Sequence, residues 1–477
     1  MMSLSTIAAD RSVPALLLKI GRYPLHSGGV GVVRTLGRLG VPVYAVTEDR
    51  WTPAAVSRYC AGRFVWRITG KEEPEYLAEM LRSVGERIGR RTVVVPADDE
   101  AAVLVAEHAQ SLAPWFVLPA VRAGLPRELA SKQRLFELCR RHGVPTPATV
   151  FPASAAEVAE FAQTAAFPVV VKNAEPWVRR RAPVVGNTTV VNTAAELMAL
   201  IPAHGPPGVI VQEYIPREHA QDWFTHLYCD ADSDCLSMFT GVKVRSWPPH
   251  SGATSAAYHL ANPDLAQLAA RFCKQIGFSG IGDLDWRLDL RDGRYKLVDF
   301  NPRMGNQFRL FETTQGVDVV RALHLDLTGR PVPSGAVRDG RWLFVEHIDG
   351  FARLAYRGAS GYPAAPAPVR PASGRGGREL AWFAADDPLP FLAMLPRLAG
   401  GRRPGRTGQS HSTGQSHSAA QSHASGQSPS PGQSYQSYSA AQSYASGQSP
   451  STGQSYQSCG AGQSHGAGQS HATGGVR

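Results

Sequence analysis

Between residues 14 and 119, short apolar runs alternate with amphipathic stretches, and this alternation restricts the fold more than any other feature of the chain. PALLLKI (14–20), VPVYAV (41–46), TVVVP (92–96) and WFVLP (115–119) read as buried strands, each short and rich in β-branched or aromatic residues. Helical spacing follows through Leu39, from Glu75 to Ile88 and from Asp98 to Gln110. Strand–helix alternation of this kind implies an α/β fold, a parallel sheet with helices on both faces. Ligands of such sheets sit at the carboxyl ends of the strands. The Gly-rich run after the first strand, Ser27-Gly28-Gly29-Val30-Gly31, lacks GxGxxG spacing, and Glu48 and Asp49 only approximate an acid at the end of the second strand. It reads as a structural turn rather than a phosphate cradle.

Beyond residue 130 the pattern changes. Residues 131–143 predict a helix with Ser131 as N-cap, Gly143 as stop and Pro145 behind it. Strand signals then dominate: FPVVVK (167–172), TTVV (188–191), GVIVQEYI (208–215), WFTHLYC (223–229) and CLSMFTG (235–241). After an amphipathic helix from Asp264 to Ile276, IGDLDWRLDL and YKLVDFN predict a hairpin turning at Arg291-Asp292-Gly293. A Pro-rich stretch, 361–371, interrupts a region (341–400) whose fold is not readable from its pattern. From about 401 to 477 Gln-Ser recurs with a step near six and aliphatic residues almost vanish, so a disordered, low-complexity tail is expected.

The net charge of +10 points to anionic partners, but the charges form no single basic run, which argues against a nucleic-acid face. The six cysteines show no CxxC pair and no zinc-like spacing to histidine, and read as reduced thiols of a cytoplasmic protein. No segment has the apolar length needed to span a bilayer, and the first residues lack a signal-peptide core.

The hairpin carries the chemistry. Residues two apart on a strand share a face, so Asp299, Asn301 and Arg303 point the same way, and a turn at 291–293 brings Asp285 nearly opposite Asp299. Two carboxylates and a carboxamide oxygen are hard donors that suit Mg²⁺. Lysines are few, yet Lys132 opens a helix, Lys172 ends an apolar strand and Lys243 lies in GVKVRSWPPHSG. A lysine closing a buried strand needs an anionic partner, and a helix N-terminus already favours phosphate.

In this order, SKQRLFELCRRHGVPTP, FPVVVKN, VIVQEYIP, GVKVRSWPPHSG, IGFSGIGDLDWRLD and YKLVDFNPRMG resemble an ATP-grasp domain, and more narrowly carboxylate–amine ligases of the D-aspartate ligase type. The resemblance covers about two-thirds of the chain, and DFNPR is its most specific motif. It implies a Rossmann-like pre-ATP-grasp domain (12–122), an α+β ATP-grasp domain (125–330), an extension (331–400) and the tail. By position it assigns Lys132 and Lys172 to ATP phosphates and Glu213, with the backbone of Tyr214 and Ile215, to adenine. It assigns Glu218 or Asp222 to ribose, and Asp285, Asp299 and Asn301 to Mg²⁺, with Mn²⁺ as a substitute. Arg303, Lys243 and Arg245 would face the transferred phosphate and the substrate carboxylate. The implied substrates are a carboxylate and an amine of amino-acid type, joined through an acyl phosphate, with a homodimer as the implied assembly. Asp299 stands where Glu is usual, and the loop after Lys172 carries Arg179, Arg180 and Arg181 in place of a Gly-rich cover. His250 is the only histidine offered as a base for the amine.

Overall fold

The computed structural model describes residues 7–23, 25–174, 185, 188–202, 206–249, 252–356, 365–368 and 377–400. Arg179, Arg180, Arg181, His250 and the Gln-Ser tail lie outside the described residues.

The apolar runs of the first 120 residues form a five-stranded parallel sheet. Its strands are β1 (Ala15–Leu18), β2 (Val43–Thr47), β3 (Cys60–Val65), β4 (Thr92–Pro96) and β5 (Phe116–Val117), in the order β3-β2-β1-β4-β5. The central strands β1 and β4 are buried on both faces, which their unbroken apolar sequence requires. The strand β3 is an edge strand of alternating exposure, and its mixed sequence, CAGRFV, hid it from pattern reading.

The Gly-rich run is not a turn. Ser27 begins the helix Ser27–Gly37, capped by His26, whose Nδ1 accepts the Gly29 N–H at 3.0 Å. Two of its glycines permit close packing against a later segment. A Cβ on Gly28 would lie 2.8 Å from Met304 Cε, and one on Gly31 would lie 2.9 Å from Phe308. Asn306 Oδ1 accepts the Gly28 N–H at 3.1 Å, so the chain just after the DFNPR motif is seated on this helix.

A small antiparallel sheet holds β6 (Thr149–Val150), β7 (Val169–Asn173), β8 (Thr189–Val191) and β9 (Val209–Glu213), in the order β6-β9-β7-β8. The third sheet holds β10 (Ala220–Cys229), β11 (Cys235–Trp247), β12 (Ala253–His259), β13 (Gly280–Asp289), β14 (Arg294–Asn301), β15 (Trp342–Phe344) and β16 (Arg378–Leu380). Its order is β14-β13-β10-β11-β12-β15-β16. Region 341–400 is therefore part of this sheet. It is also tied to the parallel sheet through buried Asp387, which accepts from Arg34 Nε (2.9 Å), Ser57 Oγ (2.7 Å) and the Arg58 N–H (2.9 Å).

The two faces of the seven-stranded sheet differ in character. Trp223, Leu227, Val242, Leu284, Trp286, Leu297 and Phe300 pack into one core with the helix Pro263–Ile276. Their strand neighbours, among them Asp222, Lys243, Asp283, Asp285, Arg287 and Asp299, point the other way. The helix Lys132–Arg141 is as expected, with Ser131 Oγ accepting the Arg134 N–H and Gly143 at φ +67°. Among the described residues no helix is long and apolar enough to cross a membrane.

Candidate active site

The predicted hairpin sets the centre of the site. Asp285 pairs with Asp299 across β13 and β14, and Asp283 pairs with Asn301. A bulge beside Asp285 takes up Val298, so Leu297 and Asp299 face opposite sides: the leucine enters the core and the aspartate joins the charged face. Asn301 Nδ2 donates to Asp283 O at 3.1 Å, which turns its carboxamide oxygen the other way. These hard oxygen donors fit Mg²⁺ or Mn²⁺.

Asp299, Asp285 and Asp283 each meet a cation from outside the hairpin. Lys132 Nζ bonds Asp299, and Lys243 Nζ lies 2.7 Å from Asp285. Arg303 Nη1 lies 2.9 Å from Asp283 Oδ2, and Arg303 Nε lies 3.4 Å from Asp99 at the carboxyl end of β4. Lys172 closes β7 with 9% exposure and donates to Gln212 Oε1 at 3.0 Å.

The electrostatics follow from this crowding. Burial, with Lys132 nearby, pulls the Lys172 ammonium down to about 8. Burial works against the Asp299 carboxylate, but Lys132, Lys172 and Arg303 overcome it and hold the group below its ordinary value. Asp285 goes the opposite way: burial raises it, and Asp283 and Asp299 offset part of the lowering by Lys243. Lys243 is raised despite burial, chiefly by Asp285, and Asp283 is lowered despite burial, by His226 and Arg303.

Sequence reasoning passed over three of these groups. Asp283 lies two residues from Asp285 in the same strand, which was the available signal. His226 Nε2 lies 3.0 Å from Asp283 Oδ1. Asp99 follows a parallel strand at its carboxyl end, where such sheets bind ligands.

The remaining predicted residues fall in different surroundings. Glu213 ends β9, and its carboxylate meets Arg291 Nη2 (2.5 Å), Lys296 Nζ (3.6 Å) and the Ala148 N–H (3.1 Å). Tyr214 and buried Ile215 continue from it, and Ile215 O accepts from Arg287 at 3.4 Å. Asp222 stands on the charged face and pairs with Arg287 at 2.8 Å, whereas Glu218 sits in a 3-10 turn paired with Arg217 at 3.0 Å. Arg245 is not brought to the carboxylates. Register shifts on β11 pair Lys243 with Ala257 but Arg245 with Ala256, which turns the two cations to opposite faces. Arg245 meets Asp349 at 2.9 and 3.2 Å, in the helix Glu346–Ala355.

A parallel sheet, a small antiparallel sheet and a large one, with lysines and carboxylates meeting between them, make up an ATP-grasp fold. The comparisons with solved structures agree on the fold. The biotin carboxylase domain of Hydrogenobacter thermophilus 2-oxoglutarate carboxylase matches with a TM-score of 0.51 at 15% identity, covering 68% of this chain and 71% of that one. Thermus thermophilus N5-carboxyaminoimidazole ribonucleotide synthetase matches with a TM-score of 0.51 at 15% identity, covering 69% of this chain and 81% of that one. No family model matches the chain. The two structural likenesses show the fold, which is that of ATP-grasp enzymes. D-aspartate ligase of Enterococcus faecium (strain Aus0004) is 25% identical over 266 residues, which span 52% of this chain and 62% of that relative's length.

Proposed function

We propose that the protein is an ADP-forming ligase that joins a carboxylate to an amine of amino-acid type through an acyl phosphate. The observation that carries this reading is the Asp285–Asp299 pair beside Asn301, met by Lys243 and Lys132 from two other elements, with Arg303 on the neighbouring Asp283. The relative's name makes D-aspartate the first substrate to test. In this reading the parallel sheet is the pre-ATP-grasp domain, residues 125–330 are the ATP-grasp domain, and the protein works in the cytoplasm, as a homodimer.

Lys132 and Lys172 bind the phosphates of ATP, and the β9–β10 connection at Glu213–Ile215 borders the adenine. Asp285, Asp299 and Asn301 would hold a Mg²⁺ ion, which would offset negative charge on the phosphates. A substrate carboxylate oxygen attacks the γ-phosphorus and ADP leaves. The amine nitrogen then attacks the acyl carbon, phosphate leaves, and the nitrogen loses a proton. Arg303 and Lys243 stabilise the oxygen charge that develops in both steps, oriented by Asp283 and Asp285. Lys132 and Lys243 must exchange their carboxylate partners for phosphate oxygens as nucleotide and metal enter.

The test is incubation with Mg²⁺ and ATP, D-aspartate and a panel of amines and carboxylates, following phosphate release and new amides by mass spectrometry. Release that needs both a carboxylate and an amine, and that is lost in Asp299→Ala/Asn301→Ala, is the expected result. ATP hydrolysis independent of both substrates, or no binding of ATP with Mg²⁺, would overturn the reading.

A further inference from the structure

The six cysteines looked scattered, yet the fold brings three of them together at the end of the large sheet. Cys229 closes β10 and Cys235 opens β11, and the two are direct partners across the antiparallel pair. Side chains of directly opposed residues leave the sheet on the same face with Cβ atoms ~5 Å apart, close to the separation a disulfide needs. The Cys229 and Cys235 Sγ atoms lie 2.7 Å apart. Cys273, from the helix Pro263–Ile276, completes a group whose sulfurs all lie within 4.8 Å of one another.

The three thiols are not equivalent. Cys229 and Cys273 have no exposed surface, whereas Cys235 is partly exposed and follows the turn at 230–234, where Ala231, Asp232 and Asp234 are open to solvent. Hydrogen bonds from Cys229 and then Cys273 hold the Cys235 sulfur down to about 5, against burial and the nearby Asp230 and Asp234. Burial raises Cys273 instead. The sulfur of the more exposed residue is thus the better nucleophile, with the Cys229 sulfur 2.7 Å from it. The turn is kept in shape by Asp230 Oδ1, which accepts the N–H groups of Asp232 (3.0 Å) and Asp234 (2.8 Å), and by Lys274, which bonds Asp234 at 2.8 Å. Three aspartates against one lysine give the rim a negative field that favours a cationic or neutral reagent.

We propose that Cys229 and Cys235 are a reversible dithiol–disulfide site, oxidised by exchange with a low-molecular-weight disulfide, with Cys235 as the attacking sulfur. The Cys235 thiolate attacks one sulfur of the reagent, a mixed disulfide forms, and the first reagent thiolate leaves. Cys229 then loses its proton, attacks Cys235 Sγ and expels the second reagent thiolate. The two leaving thiolates take up the two protons given up by the cysteines. The two cysteines are oxidised by two electrons, and one reagent disulfide becomes two thiols. This chemistry is independent of the ligase reading, because the cysteines lie at the opposite end of β10 from Asp222.

The experiment uses the full chain and cystamine, a cationic disulfide, in mixtures with its thiol, followed by alkylation under denaturing conditions and tryptic mapping. Cys229 and Cys235 share one tryptic segment, 218–243, and Cys273 lies in another, so each can be read separately. Segment 218–243 is expected to lose two hydrogens and resist alkylation at ratios where Cys60, Cys139 and Cys273 remain alkylatable. Dithiothreitol should reverse the change. In Cys229→Ser the reaction should stop at a cysteamine adduct on Cys235, and the wild-type mapping stands if that variant fails to fold. Oxidation of Cys60 or Cys139 ahead of this pair would overturn the proposal. So would a persistent cysteamine adduct in the wild type, or a stoichiometric metal ion in the purified protein that blocks all three thiols.

Discussion

Asp285 and Asp299 face each other across β13 and β14, and each carboxylate is held by a lysine from a different element, Lys243 of β11 and Lys132 of the helix Lys132–Arg141. Without ligand, the groups assigned to metal and the groups assigned to phosphate neutralise one another. Asp285 is the strained member, raised by burial and by two carboxylates near it. A cation placed between Asp285 and Asp299 removes that repulsion and frees both lysines for phosphate. Nucleotide and Mg²⁺ should therefore bind with strong mutual dependence. In titration calorimetry ATP alone should bind at least about tenfold more weakly than ATP with Mg²⁺, and Asp285→Asn should abolish most of the difference.

Lys172 supplies a pH signature. Its folded-state value of about 8 lies below the ordinary 10.5, so between these values the unfolded chain holds a proton that the folded chain has lost. Stability should rise with pH across that window, by at most ~3 kcal/mol. Phosphate beside Lys172 restores its proton. ATP binding near pH 8 should then take up a fraction of a proton, visible as a dependence of binding enthalpy on the ionisation enthalpy of the buffer.

The same lysine separates stability from function. Lys172→Met removes a buried charge that is hydrogen-bonded to the neutral Gln212. The ligand-free protein should melt higher, by up to ~2 kcal/mol, because an apolar side chain of similar length fits a buried strand end better than an ammonium. Affinity for ATP should fall by about tenfold or more as a charged phosphate contact is lost. Thermal melts with and without nucleotide check both halves.

How much of this was legible depended on periodicity. The hairpin was legible, but its connection is 290–293 rather than 291–293, so the ladder beside the turn is one residue off the expected register, and the bulge at Val298 restores the expected Asp285–Asp299 pair. Arg245 could not be placed, because the bulges that turn it from Lys243 to Asp349 leave no mark in GVKVRSW. The glycines of 27–31 were visible, but their purpose was not: they make room for Met304 and Phe308, some 275 residues away. The cysteines converge by strand pairing and helix docking, which spacing along the chain does not encode. Asp283 was readable by the same alternation as Asp285, but its role needed His226 and Arg303 in space.

Gly28 and Gly31 offer a direct discrimination between a phosphate cradle and a docking surface. In a cradle, Gly28→Ala would weaken ATP binding and leave the fold intact. Here an added Cβ meets Met304 and Asn306, and Gly31→Ala meets the Phe308 ring and Arg309. Each should cost about 1–3 kcal/mol in a thermal or urea melt, as overpacking does. Gly28→Ala should change the affinity for ATP little, while turnover falls because the segment carrying Arg303 is shifted.

The Asp283 carboxylate is the last link. It receives Arg303 at 2.9 Å, stands 3.0 Å from His226, and lies so close to Gly305 that a Cβ there would approach it to 2.6 Å. Its folded-state value is lowered by His226 and Arg303 against burial, so its contribution is present above the ordinary aspartate range and is lost as pH falls below about 4. Asp283→Asn removes the charge but keeps the shape, leaving Asp99 as the one carboxylate paired with Arg303 among the described residues. That should cost about 3 kcal/mol at neutral pH, as the loss of one partner from a buried pair does, and the loss should shrink in acid, where wild type protonates the same group. If Arg303 stabilises phosphoryl transfer, turnover should fall by about a hundredfold with little change in the affinity for ATP. Steady-state kinetics beside melts at pH 7 and in acid measure both effects on one variant, and a stability loss that stays constant into acid would show that the charge on Asp283 is not what holds Arg303.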